Sequence, residues 1–126
     1  MCIRDSTYSG HPLGCAAALA TLDIYEKEQL FTQAQLLEPL FEDAVHSLAD
    51  CPHVIDIPNI GLMAALELEP VVGHPSKRAF DIYRRAFAQG LLIRTTGDTL
   101  ALSPPLIIKP QEIEQIITTL KKLLKS

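Results

Sequence analysis

Apolar residues in this chain switch from helical to strand spacing and back, twice, and that alternation confines it to helices layered on a sheet. A helix is expected from about His11 to Glu28, opened by Ser9, Gly10 and Pro12 and rich in alanine from Cys15 to Ala20. A second, about Thr32 to Ala49, carries the stripe Leu36, Leu37, Leu40, Phe41, Ala44, Val45, Leu48. Pro39 inside it marks either a kink or the true start. The spacing then shortens. Val54–Ile57 and Leu62–Leu68 read as an antiparallel pair around Pro58-Asn59-Ile60-Gly61, with Glu67 and Glu69 alternating onto a wet face. A third helix runs from Ser76 to Gly90 on Ala79, Phe80, Tyr83, Ala86 and Phe87. Leu91–Arg94 and Thr99–Leu102 form a second strand pair, closed by Ser103-Pro104-Pro105. A last helix starts at Pro110, with the stripe Ile113, Ile116, Ile117, Leu120, Leu123, Leu124 and lysines late. The sum is an α+β fold: an antiparallel sheet with helices on one face, preceded by a long connecting helix. The small-residue face of that first helix looks built to lie against other backbone.

At 126 residues the chain is one domain in size. Eleven basic against fifteen acidic residues leave a net charge of −4, the wrong sign for nucleic-acid phosphates or an anionic membrane. No apolar run approaches the roughly 18 residues that span a bilayer, and Met1–Ser6 has no signal-peptide core. Three scattered cysteines (Cys2, Cys15, Cys51) do not resemble a disulfide framework, so a reducing, cytoplasmic setting is expected. His11 and Cys15 share i, i+4 spacing, but two ligands fall short of a metal site, and none is expected.

Two places break the pattern of a plain domain. Thr7-Tyr8-Ser9-Gly10-His11-Pro12 offers hydroxyls and backbone N–H groups at the positive end of a helix, which suits a phosphate. The same residues also serve an ordinary helix cap. Arg94 ends an otherwise apolar run, Leu91-Leu92-Ile93. A guanidinium there wants a carboxylate, either an internal one from Asp98 or Glu67 or that of a substrate.

At these residues a resemblance becomes specific. Thr7–Leu13 with Cys15-Ala16-Ala17-Ala18-Leu19-Ala20 looks like a segment of the class III (subgroup II) pyridoxal-phosphate aminotransferases. So do Asn59–Leu68, Gly90–Thr99 and Ser103-Pro104-Pro105-Leu106, which most resemble the ω-amino acid:pyruvate branch. The resemblance covers the chain from Thr7 onward and corresponds to the C-terminal part of such an enzyme. It implies that residues 7–30 end the large domain and form the connecting helix, and that 31–126 are the small domain.

It also implies roles. Thr7 would bind the phosphate of pyridoxal 5′-phosphate held by the neighbouring subunit of a homodimer, and Arg94 would grip a substrate carboxylate, swinging aside for an uncharged amine. The substrates implied are an ω-amino acid or amine and a keto acid such as pyruvate. No catalytic residue is expected here, because the family's cofactor lysine and the acid facing the pyridine nitrogen lie upstream of the threonine. The fragment alone is therefore expected to be inactive. Residues 1–6 do not match the family and read as a spurious leader. Two alternatives stand beside this reading: a free-standing α+β small-molecule-binding or regulatory module with a sealed surface, and a class III aminomutase or decarboxylase.

Overall fold

A computed structural model describes residues 7–126; the leader expected at residues 1–6 lies outside the described residues. The order is α1 (Pro12–Lys27), α2 (Leu30–His46), β1 (Val54–Asp56), β2 (Asn59–Ile60), β3 (Met63–Leu68), α3 (Lys77–Ala88), β4 (Arg94–Thr96), β5 (Thr99–Leu102) and α4 (Pro110–Leu124). The sheet runs β1-β3-β5-β4, antiparallel throughout, and β2 also pairs with β3. β1 and β2 are successive pieces of one bent segment beside β3, interrupted by a register shift between Val54 and Asp56 and by Pro58, which has no N–H to give a ladder.

Alternation divides the sheet into two unlike faces. Ala64, Leu66, Leu68, Leu100 and Leu102 point into one core with Phe41, Val45 and Leu48 from the α2 side, Ala79, Ile82 and Ala86 of α3, and Ile113, Ile117, Leu120, Leu123 and Leu124 of α4. The opposite face carries Met63, Ala65, Glu67, Arg94, Thr96, Thr99 and Ala101. No buried polar residue occurs among the described residues. The expected α+β layer is what the chain forms.

Several expectations need correction. In α2, Leu36 is 76% exposed and Leu40 is also exposed, so the buried line runs through Leu30, Phe41, Val45 and Leu48 instead. A 3.6-residue stripe is wider than the one face a single sheet covers. Pro39 lies within α2 and does not start it. In α3 the buried positions are Ala79, Ile82 and Ala86, while Phe80 and Phe87 face outward. Ser9 is not the cap of α1. Pro12 takes the first helical position, which makes His11 the N-cap, without a side-chain cap bond.

The largest shift concerns β4. The chain leaves α3 through Gly90 at φ 80°, with Gly90 N–H donating to Phe87 O and Leu91 N–H to Ala86 O, at 3.0 and 2.9 Å. This left-handed exit satisfies the last helix carbonyls but delays pairing. Arg94 therefore begins the strand that was expected to end with it.

α1 stands apart. It is 16 residues long and buries none of them. It reaches α2 through a two-residue turn in which Gln29 takes a left-handed φ of 51°. The Gln29 and Gln33 side-chain amides donate to the carbonyls of Glu26 and Glu28, both at 2.7 Å, closing the α1 C-terminus. Tyr25 packs edge-on against Phe31 at 5.1 Å. Among the described residues no helix is long and apolar enough to cross a membrane.

Candidate functional site

The outward sheet face forms the floor of a groove of about 1040 Å³. Cross-strand pairing places Arg94 opposite Ala101, and Ala101 opposite Ala65, so the three share one row. Two alanines beside an arginine leave the guanidinium a shallow apolar trough, because their side chains are single methyl groups. Asn59, Ile60 and Met63 build one wall, and Tyr83 of α3 contributes to the lining.

The Arg94 side chain is exposed and makes no ion pair or hydrogen bond among the described residues. Neither internal acid claims it. Asp98 Oδ1 accepts the backbone N–H of Ser76 at 2.9 Å, and Glu67 sits in register with Thr99. The guanidinium thus keeps a free planar fork at the edge of an apolar trough, an arrangement suited to bidentate capture of a carboxylate.

Thr7 is exposed, in the turn that leads into α1. His11 N–H donates to Tyr8 O at 3.2 Å and Gly10 takes a φ of 72°, a tight left-handed turn open to glycine. The first intrahelical bond runs from Cys15 N–H to His11 O at 3.0 Å, leaving the N–H groups of Leu13 and Gly14 at an uncapped positive helix end. Thr7 does not line the Arg94 groove. The two sequence-derived sites are therefore separate within this chain.

All six lysines (27, 77, 109, 121, 122 and 125) are exposed, and none lines the groove. Among the described residues no three His, Cys, Asp or Glu side chains cluster as a metal site would require. Among the described residues one titratable group is clearly displaced: hydrogen bonding to His53 Nδ1 at 2.7 Å, then the charge of His53 and that of Arg78, hold the Glu69 carboxyl below its ordinary range. It is a surface pair outside the groove.

Sequence reasoning singled out Arg94 but not its surroundings. Ala65, Ala101, Asn59, Ile60, Met63 and Tyr83 went unremarked as site residues. The signal existed for Met63 and Ala65: the alternation that put Glu67 outward puts them on the same face. Ala101 required the strand register.

Solved transaminase structures share this fold. One from Pseudomonas jessenii, an omega transaminase in complex with PMP, superposes with a TM-score of 0.87 at 32% identity, covering 95% of this chain and 28% of the other. An adenosylmethionine-8-amino-7-oxononanoate aminotransferase from Methanocaldococcus jannaschii gives 0.88 at 31% identity, covering 98% and 30%. The class-III aminotransferase profile matches residues 4–124, and the chain belongs to that family. Among curated relatives, an omega-aminotransferase of Caulobacter vibrioides is 51% identical over 118 residues, 94% of this chain and 27% of the relative. An omega-amino acid–pyruvate aminotransferase of Pseudomonas putida is 36% identical, over 94% and 26%. The chain thus spans about a quarter of the length of these relatives. Class III aminotransferases, as a family, use pyridoxal phosphate.

Proposed function

We propose that this chain is the C-terminal part of a transaminase that moves an amino group from an ω-amino acid or amine to a keto acid such as pyruvate. Residues 7–30 end the large domain and form its connecting helix, and residues 31–126 are the small domain. The observation that carries the reading is Arg94, an unpaired guanidinium on an apolar trough, where a carboxylate-bearing substrate gains two charge-assisted hydrogen bonds. A carboxylate-free amine gains nothing from it, so the side chain discriminates such a donor from the keto acid.

The residues present fit one part of the cofactor. The Thr7 hydroxyl and the uncapped start of α1 suit its phosphate, held across a homodimer interface. When bound, pyridoxal phosphate acts as the electron sink and amino-group carrier of the exchange. The exposed lysines offer no buried amine for its aldehyde, so the purified chain alone is inactive; amine-dependent alanine formation by it would overturn that statement. Cys15 and Cys51 are free thiols, in keeping with a cytoplasmic enzyme. The exposed leucines of α1 weigh against a free-standing module with a sealed surface.

The decisive test is Arg94→Ala in the full-length enzyme. Losing a bidentate charged contact lowers kcat/KM for keto acids by about tenfold to a hundredfold, with much less effect on a carboxylate-free amine donor. Equal losses for both partners would make Arg94 a structural residue.

A further inference from the structure

The wall of the groove facing Arg94 is its least supported part. β2 is two residues long and pairs only with β3. Pro58 precedes it, and it turns into β3 through Gly61-Leu62, where Gly61 takes a φ of 55°. A pair this short does not hold its own geometry in water. Two side chains of α2 reach it from outside the sheet. Glu38 Oε1 accepts the Gly61 N–H at 3.2 Å, and His46 Nε2 lies 2.9 Å from Asn59 Oδ1. Asn59 and Ile60, which these contacts bracket, and Met63 just beyond the turn all line the groove.

We propose that Glu38 is a positioning residue for substrate recognition: by holding the Gly61 N–H, it fixes the β2–β3 turn and so the width of the trough opposite Arg94. His46 assists at the other end of β2. Glu38 does not itself line the groove, so its effect passes through the turn. The Glu38–Gly61 hydrogen bond is half-buried, while the exposed His46–Asn59 contact competes with water. Glu38 is accordingly the stronger of the two braces.

The inference rests on the groove being the carboxylate subsite, and the experiment separates the two claims. In the full-length enzyme, Glu38→Ala is compared with Glu38→Gln, whose amide oxygen still accepts from Gly61, and with Arg94→Ala. KM for a keto acid rises about fivefold to tenfold in Glu38→Ala, the scale of one net hydrogen bond. The rate with a saturating carboxylate-free amine stays level, and Glu38→Gln restores the keto-acid KM. If Arg94→Ala raises that KM and Glu38→Ala does not, the positioning role is wrong. If the alanine and glutamine variants are equally impaired, Glu38 acts through its charge and the positioning role is again wrong. If Arg94→Ala leaves keto-acid KM unchanged, the subsite reading fails and takes this inference with it. Thermal midpoints of all three variants report whether Glu38→Ala has merely loosened the domain, in which case both substrates suffer alike and the proposal falls.

Discussion

The first and last helices make an instructive pair. α1 has 16 residues and α4 has 15, and each begins with proline in its first turn. Yet α4 buries Ile113, Ile117, Leu120, Leu123 and Leu124, and α1 buries nothing. α1 is the more apolar of the two, so spacing and not apolar content decides which is buried. The apolar residues of α4 fall on one stripe, with Glu112, Lys121 and Lys122 on the rest, and one sheet-and-helix layer covers that stripe. In α1, Leu13, Leu19, Leu22 and Ile24 are spread around a cylinder whose first half is otherwise mostly small residues, Gly14 and Cys15 to Ala18. A helix apolar all round is stable only when surrounded. The body of this chain offers it a single edge, at α2. The rest of its surface is uncovered among the described residues.

Substitution puts the contrast to a direct test. Leu120→Ala, at a fully buried position, should cost about 3–5 kcal/mol, read as a lower urea midpoint with unchanged slope. Leu19→Ala, at a position 66% exposed, should stay within about 0.5 kcal/mol of the parent. Comparable losses at the two sites would mean that α1 docks on the body in solution. A smaller effect concerns the surface of α1 itself. Replacing Leu13, Leu19 and Leu22 together by glutamine should lower the fluorescence of a dye that reports exposed apolar surface, while the unfolding midpoint holds. Unchanged dye binding would point to the exposed Leu36, Leu40 and Ile60 instead.

The smallest expected effect sharpens the view of the body. Glu69 is held below its ordinary range by His53, so the stability it adds is present above the usual glutamate pKa of about 4.3 and fades as pH falls through its lowered folded value. Parent and Glu69→Gln midpoints should therefore differ at neutral pH and converge in acid. A gap that persists once the carboxyl is protonated would contradict the His53 pairing.

How much was legible beforehand varies by region for a physical reason. α4 and β3 were read nearly to the residue, since local period and a single buried face agree in both. α2 and α3 were placed, but Leu36, Leu40, Phe80 and Phe87 were assigned to a core they do not enter. Period shows that a helix has an apolar side; it does not show how wide a partner will cover it. Arg94 was legible because a guanidinium closing an apolar run conflicts with burial. That Asp98 was already committed to the Ser76 N–H, 22 residues earlier in the chain, was not.

By itself, the sequence determined the alternation of helix and strand, the α+β layering and the one arginine out of keeping with its neighbours, all set by local spacing and desolvation cost. Only the tertiary structure decided that Arg94, Ala101 and Ala65 form one row, that two α2 side chains reach the turn opposite, and that α1 lies uncovered. Those outcomes depend on strand register and on contacts between residues distant in the chain, which no local pattern of side chains encodes.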